Sequence, residues 1–279
     1  MNGIIVVNKE SGYTSRDVVN IISKTLHTKK IGHTGTLDPI AEGVLVVCVG
    51  KCTKLCDYLT SSEKEYIAEF KLGYETDTLD STGNIIKESN KKVSKEDIVD
   101  AINSFVGEYD QVVPKYSAVK INGKKLYEYA RDNIDVDLPS REVFIKNIEI
   151  LSIDDVVKIK CVVSKGTYIR SLIRDIGEFL GTYATMTSLI RTKQGNYNID
   201  ESFKVDDIKN NNYKLISIEE IFSDYKRIDV DEVLYKKVSN GVVLDNIYNS
   251  EYILFYYNNE LISVYKEYEK SKIKLFLMI

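Results

Sequence analysis

The chain has 279 residues, with 38 Lys plus Arg against 42 Asp plus Glu, 43% hydrophobic and 29% charged side chains, and a formal net charge of -4. That size and balance fit a globular protein of one large domain or one and a half. There is no basic lead in "MNGIIVVNKE" and no uncharged run of eighteen apolar residues, which argues against a secretory leader or a membrane span and predicts a cytoplasmic protein.

In chain order, "GIIVV" reads as a short buried strand, and "TSRDVVNIISKTL" as a helix with Thr14 or Ser15 as its N-cap and Val18, Ile22 and Leu26 on one face. The loop "IGHTGTLDPIAE", residues 31 to 42, then packs Gly32, His33, Gly35, Asp38 and Pro39 ahead of a second buried strand, "GVLVVCVG". Asp38 before a proline is by itself an ordinary turn former. Cys48, Cys52 and Cys56 are spaced by four, a pattern that suggests one helical face. With Cys161 they make neither an extracellular disulfide framework nor a zinc pattern, so they read as small buried residues and no metal is expected.

"YIAEFKLG" alternates like a half-exposed strand, and "SKEDIVDAINSFVG" is a helix opened by Ser94 and Asp97 in a capping-box arrangement. "KYSAVKINGKKLYEYAR", residues 115 to 131, holds five basic side chains and one acid with three tyrosines between them. Elsewhere the balance is unhelpful to an RNA partner: residues 201 to 279 carry 11 basic against 14 acidic groups, and the first 200 carry 27 against 28. Basic groups interleaved with aromatics suit a phosphate backbone with unstacked bases, although a solvated hairpin and helix start is the plainer reading. "VFIKNIEILSI" and "VVKIKCVVS" look like paired strands, followed by a helix in "YIRSLIRDIGEFLG". Helices and strands mix without βαβ alternation, which predicts an α+β fold with a large mixed, mainly antiparallel sheet flanked by helices. The Asn-rich "IKNNNYK" and the change of composition at 223 to 227 suggest a boundary, placing one domain at 1–224 and a small β module at 225–279.

Several chemistries fail on spacing. "GVLVVCVGKC" is not a phosphate-binding P-loop, because six residues separate its glycines and Cys52 follows Lys51. No G-x-S-x-G occurs, and two histidines leave few ways to build a hydrolase triad. A glycosidase needs a second carboxylate facing the first. What remains is one acid, Asp38, in a Gly-rich loop at the mouth of a strand.

"GHTGTLDPIAEGVLVVCVGKCTKL" resembles the signature of the bacterial tRNA pseudouridine synthases of the TruB family, relatives of dyskerin. The likeness continues in order through "KEYIAEFKLGYETDTLDSTG", "PKYSAVKINGKKLYEYAR", "SKGTYIRSLIRDIGEFLG" and "LIRTKQG", and so covers most of residues 3 to 197. It implies isomerisation of uridine 55 in the T-loop of elongator tRNAs, with the uracil flipped out of its stack and no cofactor or metal. By that resemblance Asp38 is the catalytic carboxylate, as nucleophile or base, and Arg170 its partner in a charge-assisted pair. Tyr66 would stack on the flipped base and is a candidate to take the C5 proton, and His33 would occupy the vacated space. Tyr168 and Leu189 match pocket-wall residues. Lys9 matches the lysine of the family's "DKP-x-G-x-TS" opening, here "NKESGYTS", where Asn8 and Glu10 replace the usual Asp and Pro. The stretch at about 110–136, with Lys124, Lys125 and Arg131, matches an insertion that closes on the T-loop. The tail resembles, more loosely, the PUA-type β module of such enzymes, with "VSNGVVL" its best match. A monomer with tRNA as partner, without protein partner or membrane, is expected. The alternatives are a non-catalytic RNA-binding protein or tRNA-folding chaperone, or a pseudouridine synthase for another RNA.

Overall fold

A computed structural model describes residues 1–269 and 271–279. Its largest unit is a ten-stranded mixed sheet. Across its width run Phe203–Lys204, Gly3–Lys9, Glu42–Val49, Ala184–Gln194, Lys64–Leu72, Val157–Val163, Ser140–Ile153 and Gly107–Val112, with Ile31–His33 added beside Glu42–Val49 and Tyr197–Asn198 beside Ala184–Gln194. Two neighbouring pairs are parallel, Gly3–Lys9 with Phe203–Lys204 and Glu42–Val49 with Ala184–Gln194, and the rest are antiparallel. The expected α+β architecture is observed.

The hydrophobic pattern of each strand follows from what covers it. Along Gly3–Lys9 and Glu42–Val49, the odd-numbered Ile5, Val7, Leu45 and Val47 face one core with the helices Ser15–Thr25, Lys95–Ser104 and Ile169–Phe179. Their neighbours Ile4, Val6, Val44, Val46 and Cys48 face a second core on the other side. A strand buried on both faces reads as an unbroken apolar run. Lys64–Leu72 is buried only at every second residue, so it alternates.

The second core is closed by the C-terminal residues. A five-stranded sheet begins at Lys226 and lays Tyr252, Leu254, Val264 and Leu277 against Val44 and Val46. Its far face carries the helix Glu232–Ser239, packed through Val238 on Phe255 and Tyr265. Both helix starts foreseen from capping residues are present: Thr14 with Asp17 and Ser94 with Asp97 form reciprocal capping boxes. The cysteine spacing was misleading, because Cys48 ends in a strand, Cys52 lies in a 3-10 turn and Cys56 begins a helix. Gly50, at φ +65°, breaks the strand between them. All four cysteines are free, and Cys48, Cys52 and Cys161 are buried. Among the described residues no helix is long and apolar enough to cross a membrane.

Candidate active site

Glu42–Val49 and Ala184–Gln194 pair in parallel through Glu42 with Ile190 and Gly43 with Arg191. The loop carrying Asp38 leads directly into this seam, ending where Glu42 begins its strand. Gly43 has φ +96°, and a Cβ there would lie 2.2 Å from the Arg191 carbonyl oxygen. Only glycine lets the strands meet.

The loop is pinned on both sides of Asp38. The Leu37 N–H donates to Ser15 Oγ at 2.8 Å and the Ser15 hydroxyl donates back to the Leu37 carbonyl at 3.0 Å. The Gly12 N–H reaches the Pro39 carbonyl at 2.9 Å. Lys9 is fully buried, and its ammonium donates to the carbonyls of Glu10, Tyr13 and Pro39 at 3.1, 2.7 and 3.3 Å. Burial pushes its pKa down to about 8, with Glu42 and Asp38 pulling the other way. The structure therefore puts Lys9 beneath the loop rather than among groups that face a ligand. Glu10 contributes its backbone oxygen to this arrangement.

Arg170, the second residue of the helix Ile169–Phe179 and 4% exposed, reaches the loop from across the cleft. Its Nη2 lies 2.9 Å from Asp38 Oδ2. The same guanidinium donates to the carbonyls of Thr78 at 2.9 Å and Tyr116 at 3.0 Å, and its Nε stands 4.0 Å from Asp80 Oδ2. A planar fork with five donors can tie several acceptors at fixed angles, which an ammonium cannot. Asp80 is 5% exposed and is held by the hydroxyls of Thr78 and Thr82 and by the Thr82 N–H. Between Thr78 and Asp80, Leu79 has φ +63°, a conformation that costs a branched side chain about 1–2 kcal/mol. Arg170 and the Asp80 hydrogen bonds hold this turn in place against that cost.

Asp38, with its side chain 35% exposed, opens onto a cleft of about 290 Å³ whose walls include Tyr66, Tyr168, Leu189 and Arg170. Tyr66, 8% exposed, sits in register with Arg191 on one side and Cys161 on the other. Five of the residues singled out in the sequence thus share one cleft. His33 lies just outside it on Ile31–His33, with its Nδ1 accepting the Gly35 N–H at 3.3 Å and its pKa lowered by burial and by Arg16 and Arg191. Lys124, Lys125 and Arg131 are not on the cleft wall either. They stand on the hairpin Lys120–Ile121/Lys124–Lys125 and the following helix Leu126–Arg131. Lys124 pairs with Asp132 and lies over the Tyr129 ring, and Lys125 and Arg131 lie over Tyr127.

Three residues of the site were missed: Asp80, Lys64 and Arg191. Arg191 is 1% exposed and donates to the carbonyls of Val44 at 2.6 Å and Gly35 at 3.1 Å, fastening the base of the Asp38 loop. Lys64 donates to the carbonyls of Thr60 and Ser62, and burial, with Arg191 and Lys165 nearby, pushes its pKa down to about 8. Charged residues inside strands, as Lys64 and Arg191 are, look like surface residues in a sequence, and Asp80 in its turn looks like a loop residue. All three stand inside the stretches that carry the resemblance, "KEYIAEFKLGYETDTLDSTG" and "LIRTKQG".

The family described as TruB family pseudouridylate synthase (N terminal domain) matches residues 23–169, and the tRNA pseudouridylate synthase B C-terminal domain matches 170–225. This chain belongs to the TruB family. The tRNA pseudouridine synthase B of Clostridium tetani is 44% identical over 95% of this chain and 95% of that protein. The protein of the same name from Fusobacterium nucleatum is 46% identical over 96% of this chain and all of its own. Among solved structures, a chain of a Cbf5-Nop10-Gar1 complex superposes on the TruB-family chain with a TM-score of 0.72 at 26% identity, covering 99% of this chain and 84% of that one. A chain of an H/ACA RNP bound to a substrate RNA containing 2′-deoxyuridine gives 0.68 at 25%, over 99% and 83%. With 99% of this chain covered, the structural likeness extends through the C-terminal sheet.

Proposed function

We propose that this TruB-family enzyme converts the uridine at position 55 of the tRNA T-loop to pseudouridine, with Asp38 acting on the ribose of a flipped nucleotide. Family membership and its relatives' agreement make it a tRNA pseudouridine synthase. The choice of uridine, the flipping and the role of Asp38 are our reading. In the reaction the N1–C1′ bond breaks, C5 joins C1′, C5 loses a proton and N1 gains one. The product is an isomer of the substrate, so atoms and electrons balance without a co-reactant.

The observation that carries the reading is the 2.9 Å pair of a buried Arg170 with a half-open Asp38 at the cleft floor. A single carboxylate, fixed by a guanidinium and open on one side, suits attack at C1′ or proton removal at C2′. Tyr66 and Leu189 on the walls would enclose a planar base, and stacking on an aromatic ring returns about 1–3 kcal/mol of the flipping cost. His33 beside the cleft suits the gap left in the RNA stack. The hairpin and helix at 120–131 supply cations and aromatic faces for the T-loop backbone and its bases.

The test is release of tritium from C5 of uridine in an unmodified tRNA transcript. Wild type is expected to release one equivalent, and Asp38→Asn none while still binding tRNA. A transcript with cytidine in place of uridine 55 should release nothing from the enzyme's action. Release from that transcript overturns the position, and tRNA bound by wild type without release supports the RNA-binding alternative instead.

A further inference from the structure

The cleft's wall is held from behind by a residue that does not itself line the cleft. Gln111 is fully buried near the end of the edge strand Gly107–Val112, on the same inward face as Tyr109. Its side-chain amide grips one backbone residue at both poles. Gln111 Oε1 accepts the Tyr168 N–H at 2.7 Å, and Nε2 donates to the Tyr168 carbonyl at 3.1 Å and to the Tyr109 hydroxyl oxygen at 2.6 Å. A carboxamide offers one acceptor and two donors, so it reproduces the pairing that a neighbouring strand's peptide would give.

Tyr168 needs that support. It is the N-cap of the helix Ile169–Phe179 yet has no side-chain capping bond, and its φ of -99° and ψ of 113° are extended. Its carbonyl already takes the helix's first bond, from the Leu172 N–H at 3.0 Å. Without Gln111 its own N–H would lose its hydrogen-bond partner. Two further bonds fix the same turn: the Ser171 hydroxyl and Arg174 Nη2 donate to the Val112 carbonyl at 2.8 and 3.2 Å. Residues 111 and 112 therefore dock the helix start that carries Tyr168 into the cleft wall and Arg170 onto Asp38.

The same two residues are the root of the basic segment. The chain leaves the sheet after Val112, which pairs with Ser140, and the Val113 N–H closes the neck on the Pro139 carbonyl at 3.0 Å. Tyr116, just beyond, gives its carbonyl to Arg170. The segment that would meet RNA and the helix that holds the carboxylate's partner share one hinge point, and Gln111 spans it.

We infer that Gln111 is a positioning residue for the isomerisation: it sets the backbone of Tyr168, and through it the approach of Arg170 to Asp38. This rests on the reading of Asp38 and Arg170 given above. The test uses the full-length enzyme and a tRNA transcript, measuring single-turnover tritium release at saturating enzyme, tRNA Kd and thermal stability. Gln111→Met keeps the volume and removes every hydrogen bond, and Gln111→Asn stays polar but is one methylene short of Tyr168. Both are expected to slow single-turnover release between about 10- and 100-fold, the scale of a displacement of about 1 Å at a reacting group, with Kd within about twofold. Tyr109→Phe removes the amide's other partner and leaves both Tyr168 bonds, so its rate should stay within about threefold of wild type, a loss near that of one neutral hydrogen bond. If the soluble variant of the Gln111 pair releases tritium at the wild-type rate, the inference is wrong. It is equally wrong if the variants lose affinity but keep the saturating rate, or if Tyr109→Phe is as slow as Gln111→Met. Asp38→Asn run alongside separates the two layers, because release by that variant defeats the reading of the site itself.

Discussion

Replacing Arg170 with Met removes the group on which three segments converge, and the structure sets the size of the effect. The side chain is 4% exposed and serves Asp38, the Thr78 and Tyr116 carbonyls and, at 4.0 Å, Asp80. Asp38 is 35% exposed and can recover water, so its share of the loss is the smaller. The two carbonyls lose a charged donor, worth about 1.5–3 kcal/mol each at most, and Asp80 keeps its threonine bonds but loses its countercharge. Breaking a buried ion pair from one side costs about 3–5 kcal/mol, and we expect Arg170→Met to lose that much unfolding free energy in a urea titration. Activity should fall further than the unfolded fraction explains, because the Asp38 loop and the Tyr116 segment lose their common anchor. Arg170→Lys restores the charge but not the fork, so it should regain part of the stability and little of the single-turnover rate. Wild-type stability in Arg170→Met, or full activity in Arg170→Lys, would refute the argument that one planar cation holds this site together.

Four other outcomes follow from the same structure. Gly43→Ala forces a Cβ to within 2.2 Å of the Arg191 carbonyl at φ +96°, and should lose roughly 2–5 kcal/mol of stability from strain and overpacking in a denaturation curve. Lys9 has a folded pKa of about 8 against 10.5 for the free side chain; between those values the unfolded chain binds the extra proton, so stability rises with pH. Wild type should therefore gain on the order of 3 kcal/mol on Lys9→Met from pH 8 to 10.5, and parallel pH profiles would disprove it. Lys124→Ala with Lys125→Ala should weaken tRNA binding and flatten the log–log salt plot by roughly 0.7 to 0.9 per lost phosphate contact, and an unchanged slope removes them from the RNA footprint. Deleting residues 225–279 uncovers Val44, Val46 and Cys48, so the truncated chain should precipitate or bind a hydrophobic dye instead of yielding an active fragment.

What the sequence disclosed and what it hid divide along physical lines. Capped helices and doubly buried strands carry their pattern locally, and Thr14, Ser94 and the "GIIVV" and "GVLVVCVG" runs were readable for that reason. The central strand Ala184–Gln194 was not, because Thr185, Arg191 and Gln194 are buried polar residues whose partners, such as Tyr74, Gly35 and Thr34, lie far away in the chain. Asp38, Tyr66, Arg170, Tyr168 and Leu189 were located by resemblance, and the cleft brings them together. Spacing said nothing of the work done beneath the loop by Lys9 and Arg191, or of Gln111 behind Tyr168, since a support is defined by the fold and not by its neighbours in sequence. The cysteine periodicity failed because a positive-φ glycine can end an element in the middle of a regular spacing.

The second core is completed by late strands, Tyr252–Tyr257 through Lys272–Met278, on the much earlier side chains of Ile4 and Val6. A ribosome therefore emits the strands Gly3–Lys9 and Glu42–Val49 more than two hundred residues before their cover exists. Until that cover arrives, these two strands hold one apolar flank open to water.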